Sequence, residues 1–284
     1  MSREKAPLKI LSAALAVIVI SVLIISQSGT LVPTAYYQQQ IEARNRMELC
    51  MRVVKQYKQE AGLSVSPEDI HETGLIGEEF TDITTSIGAI EAKRTAADPD
   101  MVALLVRMFN EIGLQKGDRV CAGFSGSFPS LDIAVISVCD AMEIEICYIS
   151  SVGASTWGAN QLELTFPDMA HRLYLDGLIS NDSAMVTLGG DYDNGKGTFN
   201  ESAFIPIAKR IEEYGITLMR EEDFQKNLAA RRTVYNTGDI DCFVAVGGNI
   251  TSLGVGDSAM TLGQGIIHRN LSPDQLSEKS GLVE

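Results

Sequence analysis

Ser125 stands at the crest of a small-residue turn, Gly123-Phe124-Ser125-Gly126-Ser127, between an apolar run (Val120 to Ala122) and a helical pattern opened by Pro129. Two chemistries fit that turn. A tight turn leading into a helix aims free backbone N–H groups at one point, where an anion, a carboxylate or a developing oxyanion is stabilised. A serine lifted on a strand-to-helix turn can also act as a nucleophile, as in the G-x-S-x-G elbow, although here Ser127 replaces the last glycine. A nucleophilic serine needs a base within hydrogen-bond reach. The three histidines, His71, His171 and His268, are far apart, and only His171 and His268 fall in regions that could reach the same edge of a sheet. Binding through Gly123, Ser125, Gly126 and Ser127 is therefore the first expectation, and catalysis by Ser125 the second.

Other residues join these candidates by their type and place. Lys93-Arg94 is a basic pair in an acidic chain, suited to a carboxylate or phosphate. Ser155 closes the loop Ser151-Val152-Gly153-Ala154-Ser155, and Asn249 closes Gly247-Gly248-Asn249; both loops follow an apolar strand pattern. Asp191 opens Asp191-Tyr192-Asp193-Asn194-Gly195, which matches a calcium loop at its first and third positions but has its glycine one position early and Ser202 at the twelfth. A solvated turn is the expectation there. The histidines match no zinc spacing, and the five cysteines form no C-x-x-C pair, so no metal or cofactor is expected, and Cys121, Cys139 and Cys147, inside apolar patterns, read as buried thiols. Arg231-Arg232 reads as a helix C-terminal pair offsetting the dipole.

The elements that would position these residues alternate. Strand patterns run over Val120 to Ala122, Glu145 to Ser150, Ser183 to Leu188, Ile216 to Met219 and Cys242 to Val246. Helical patterns follow Pro129, Phe166, Glu201 and Glu221. Such alternation predicts an α/β fold: a mostly parallel, doubly wound, Rossmann-like sheet with helices on both faces. All strand C-terminal ends of that sheet point one way, and ligands bind along that edge. Upstream, Pro33 to Glu60 reads as one long helix ended by Gly62, either a stalk or a helix packed on the domain. Ser66-Pro67-Glu68-Asp69 reads as a helix start, Thr81 to Thr85 as a short strand, and Asp98-Pro99 as the opening of a further helix.

Ile10 to Ile25 carries no charge and is preceded by Arg3, Lys5 and Lys9. Its length is slightly short of a full span but longer than the usual core of a cleaved signal. An uncleaved anchor is expected, with the N-terminus in the cytoplasm and the rest outside. The division expected is a cytoplasmic tip and transmembrane anchor (1–28), a helical stalk and lead-in region (29–97), an α/β domain (98–271) and a polar tail (272–284). A formal net charge of -14 argues against nucleic acid as a partner.

Several blocks, taken together, resemble the poly-gamma-glutamate system protein family: Thr84-Thr85-Ser86-Ile87-Gly88 with Glu91-Ala92-Lys93-Arg94-Thr95, then Gly117-Asp118-Arg119-Val120, Ser125-Gly126-Ser127-Phe128-Pro129 and Val152-Gly153-Ala154-Ser155. The resemblance covers most of residues 75–250. It implies a membrane-anchored protein of the bacterial cell envelope, associated with the synthesis and export of poly-γ-glutamate and partnered with other proteins of that system. It implies a process and no particular reaction. An acidic exterior repels a polyanion, so an accessory role on a small or terminal γ-glutamyl group is expected ahead of a polymer-binding groove. A serine-dependent hydrolase or acyl transferase of γ-glutamyl bonds is the alternative.

Overall fold

The computed structural model describes residues 5–28, 32–195, 200–248, 250–254, 265–267 and 282. Asn249, His268 and all of the tail 272–284 except residue 282 lie outside the described residues. The chain forms two units, residues 1–37 and 38–284. The first holds α1 (Lys5–Ser28), whose segment Lys9–Ser28 is long and apolar enough to cross a membrane. Its large apolar side chains, Ile10 through Ile25, are exposed, as lipid-facing ones would be.

The second unit begins with α2 (Tyr37–Glu60). Of the two roles open to this helix, the structure shows packing on the domain. Met47, Cys50, Met51, Val54 and Tyr57 are buried, and the Tyr57 hydroxyl donates to Asp176 at 2.6 Å. Gly62 ends it in the left-handed region (φ 72°), while Leu63 N–H and Gly62 N–H return to the carbonyls of Lys58 and Gln59. No helix starts at Ser66. The Asp69 carboxylate instead accepts the backbone N–H groups of Thr73 and Gly74 and the Thr73 hydroxyl, which holds the segment as turns. The lead-in then supplies β1 (Thr84–Ser86) and α3 (Ile90–Ala96), a short helix absent from the sequence reading. Helix α4 (Met101–Glu111) follows.

The α/β domain alternates as expected: β2 (Arg119–Phe124), α5 (Pro129–Met142), β3 (Glu145–Ser151). Next come the short β4 (Ala154–Ser155), β5 (Asn160–Gln161) and β6 (Leu164–Thr165), then α6 (Phe166–Leu175) and β7 (Met185–Thr187). The chain continues through α7 (Glu201–Glu213), β8 (Leu218–Met219), α8 (Phe224–Tyr235), β9 (Cys242–Val246) and α9 (Ile250–Leu253). Five strands form one parallel sheet in the order β8-β7-β3-β2-β9. Strand β2 is an interior strand with helices over both faces of the sheet, which is why Val120, Cys121 and Ala122 can all be apolar and buried.

Successive strands from β2 to β8 move outward in one direction, so right-handed crossovers put α5, α6 and α7 on one face. On that face Phe124 meets Phe166 of α6, and Val186 packs with Phe204, Ile207 and Ile211 of α7. Crossing back from β8 to β9 puts α8 on the other face, where Tyr235 and Val234 pack on Cys121, Ile149, Met185 and Phe243. The sheet is therefore doubly wound, and its topology reverses between β2 and β9. Open α/β sheets bind ligands at the strand C-termini beside such a reversal. Separately, β1 pairs with β4 in parallel, Ser86 opposite Ser155, which brings the lead-in onto that same edge.

Candidate functional site

Glycine decides how closely the two strands at the reversal approach. Strand β2 runs through Phe124, so Gly123 is a ladder residue opposite Ile149 and Ala245, not part of the turn. This corrects the expectation that its N–H faces a ligand: both neighbouring strands flank it. The turn proper is 125–128, closed by Phe128 N–H donating to the Ser125 carbonyl at 3.1 Å. Gly126 lies against the next loop; a Cβ there would meet Gly153 O at 3.1 Å and Ser151 O at 3.2 Å. Pro129 occupies the first turn of α5, which no side chain caps.

Three of the residues chosen from sequence meet at one point. The Ser125 hydroxyl donates to Ser127 Oγ at 3.0 Å, and Ser127 Oγ also accepts the Ser155 backbone N–H at 2.9 Å. Lys93, on α3, completes the cluster. Its ammonium donates to Ser155 Oγ at 2.8 Å and to the Ser127 carbonyl, and it lies 3.5 Å from the centre of the Phe128 ring. Lys93 is buried, and burial pushes its amine down to about 8. Among the described residues no carboxylate forms an ion pair with it within 4.0 Å. The carboxyl that influences it electrostatically is Asp132, in the first turn of α5.

Asp132 is a residue the sequence reading missed. It is fully buried, neither carboxylate oxygen has a hydrogen-bond partner, and burial holds its pKa well above the ordinary carboxylate value. A signal was present: one acid in the otherwise apolar run Leu131-Asp132-Ile133-Ala134-Val135.

The remaining candidates stand elsewhere. Arg94, next to Lys93, pairs with the Glu68 carboxylate at 2.5 Å and the Glu68 carbonyl at 2.9 Å, so its charge is already taken. Asp191 is exposed at the start of a 3₁₀ turn. Asp193, two residues on, is the structural acid of that loop. It accepts from Thr187 Oγ1 at 2.8 Å, Gly189 N–H at 2.9 Å and Asn227 at 3.0 Å, and pairs with Arg231 at 2.6 Å. Arg231 is thus a buried partner of the loop after β7 and not a solvent-facing cation at a helix end. Among the described residues no group of His, Cys, Asp and Glu could hold a metal ion. His171, on α6, is hydrogen-bonded at 2.6 Å to Asp182, on the loop leading into the N-terminal end of β7, and is stacked on Tyr214. A separate groove lined by Arg52, Lys55, His71 and Glu72 contains none of the candidates, and its Lys55 and Glu72 already pair at 2.6 Å.

The arrangement can do two things. It presents hydroxyls and the uncapped start of α5 at the sheet reversal, and it holds a buried amine against a serine. Comparison of the chain with family models gives no match, and comparison with curated proteins gives none either.

Proposed function

We propose that this protein is a membrane-anchored accessory component of a bacterial poly-γ-glutamate synthesis and export system. In this reading α1 crosses the membrane with its N-terminus in the cytoplasm. The α/β domain lies outside and binds a small anionic or γ-glutamyl group at the strand C-terminal edge. The observation that carries the binding site is the convergence of Ser125, Ser127, Ser155 and Lys93 beside the β2/β9 reversal. The blocks that resemble the poly-gamma-glutamate system family supply three of the segments that meet there. The anchor rests on the charge-free run and the bases that precede it.

Catalysis by Ser125 is the weaker alternative, because the hydrogen bonds of its hydroxyl go to Ser127 and no base. The test is titration of γ-glutamyl oligomers into the detergent-solubilised chain. Ser125→Ala should weaken binding by about 0.5–1.5 kcal/mol, the usual net worth of one hydrogen bond. Gly126→Val should abolish it, since the added side chain would press on Gly153 and Ser151. Wild-type affinity in both variants would dismiss the site. Protease added to intact protoplasts should digest the domain, and a domain protected until lysis would refute the orientation.

A further inference from the structure

Among the serines gathered at the sheet edge, one is bonded to an amine, and it is not the serine raised on the turn. Ser125 donates to Ser127, and Ser127 is held by the Ser155 backbone. Ser155 Oγ lies 2.8 Å from Lys93 Nζ, across 62 residues of sequence. We propose that Ser155 and Lys93 are a nucleophile and its general base, and that they cleave or transfer the acyl group of a γ-glutamyl amide. The proposal rests on the reading that γ-glutamyl groups bind at this edge.

The geometry of the amine suits the role. Its remaining surroundings are the Ser127 carbonyl and the Phe128 ring, both of which fix its position without supplying a negative charge by hydrogen bond. Burial lowers its proton affinity to about 8, so a sizeable share is neutral near physiological pH. Asp132 is the titratable group that faces it from the packed elements. A neutral Lys93 accepts the Ser155 hydroxyl proton as Ser155 Oγ bonds to the γ-carbonyl carbon. Collapse of the tetrahedral species breaks the C–N bond, and the same proton passes from Lys93 to the departing amine. Water then attacks the ester on Ser155, gives its proton to Lys93, and releases the γ-carboxyl product as that proton returns to Ser155. An incoming amine in place of water completes a transfer.

The Gly88 segment lies directly against the pair. Ser155 is buried, and a Cβ on Gly88 would stand 2.9 Å from Ser155 Oγ and 3.3 Å from Lys93 Cε. Gly88 is held by Thr156, whose hydroxyl accepts its N–H at 2.8 Å and donates to its carbonyl at 3.0 Å. Acylation therefore proceeds when the Gly88 segment lifts from the pair.

The experiment exposes the full chain in detergent to a fluorophosphonate, a reagent for activated serines, and maps the adduct by mass spectrometry. We expect one adduct, on Ser155, formed faster in Thr156→Val and absent in Ser155→Ala. Lys93→Arg, which keeps the charge but cannot act as a base, should slow labelling by about 100-fold or more. No adduct in either wild type or Thr156→Val, an adduct on Ser125, or undiminished labelling in Lys93→Arg would overturn the proposal. Binding of γ-glutamyl oligomers, measured in parallel, separates the two readings. Oligomers that bind without any Ser155 adduct sink the dyad alone. A Lys93-dependent adduct without oligomer binding keeps the pair as nucleophile and base, and overturns its γ-glutamyl substrate.

Discussion

The backbone of Gly247 passes so close to Ser125 that a Cβ on Gly247 would stand 2.9 Å from Ser125 Cβ and 3.4 Å from its Oγ. Gly247 follows β9 and Ser125 follows β2, so this contact joins the two loops at the reversal where the sheet changes direction. Gly247 also has φ 85°, where side chains are strained. Gly247→Ala should therefore destabilise the domain by about 1–3 kcal/mol, whereas a Cβ on Gly248 meets nothing within 4 Å and Gly248→Ala should be nearly neutral. Urea unfolding of both variants checks this; equal stabilities would show that the loop simply moves aside.

The Asp193–Arg231 pair offers a second prediction. Both residues are buried, and each makes further hydrogen bonds, to Thr187 and Asn227. Asp193→Ala leaves a buried guanidinium without its counter-ion and should cost about 3–5 kcal/mol. Asp193→Ala combined with Arg231→Met should cost much less than the sum, because no charge is stranded. A double-mutant cycle by denaturant unfolding reads the coupling directly, and additive losses would contradict it.

Lys93 should make stability depend on alkaline pH. Its amine sits at about 8 in the fold against 10.5 ordinarily. Between those values the unfolded chain holds a proton that the folded chain lacks, so stability rises with pH across the window and is flat on either side. Removing the group in Lys93→Met should delete up to about 3 kcal/mol of that rise, the linkage equivalent of the two pKa values. Lys58, also buried and near 8, contributes a similar rise that the variant keeps. Identical pH profiles for wild type and variant, from pH 7 to 11, would show that Lys93 is not desolvated.

Asp132 should act in the opposite sense. Its carboxyl is held above the ordinary value, so the fold binds a proton that the unfolded chain has released, and stability falls as pH rises from about 4. Asp132→Asn cannot ionise and should be the more stable protein at pH 7, by about 1–3 kcal/mol. That advantage should shrink as pH approaches 4. A variant less stable than wild type at neutral pH would mean that the ionised carboxylate is what the fold uses.

Much of the fold was legible because it is written in local chemistry. Alternating apolar runs and helical periods marked all five strands of the main sheet, within a few residues of their ends, and the helices between them, since burial on two faces demands such runs. Glycines at strand ends marked the loops of the C-terminal edge, and the charge-free stretch after Lys9 marked a helix able to span a membrane. The site was legible only in part. Ser125 and Ser127, Ser155, and Lys93 were picked by residue type from three separate segments, but nothing local says that those segments meet.

Only the tertiary structure made Ser155 the partner of Lys93, turned Arg94 away to Glu68, and gave Arg231 to Asp193. It also moved Gly123 out of the turn and into the ladder. Those outcomes depend on the strand order β8-β7-β3-β2-β9 and on the pairing of β1 with β4. Periodicity fixes which face of an element is buried, but it is silent about which distant element covers that face. The contacts that choose a base for a serine span tens of residues, and chain geometry alone brings them within 3 Å.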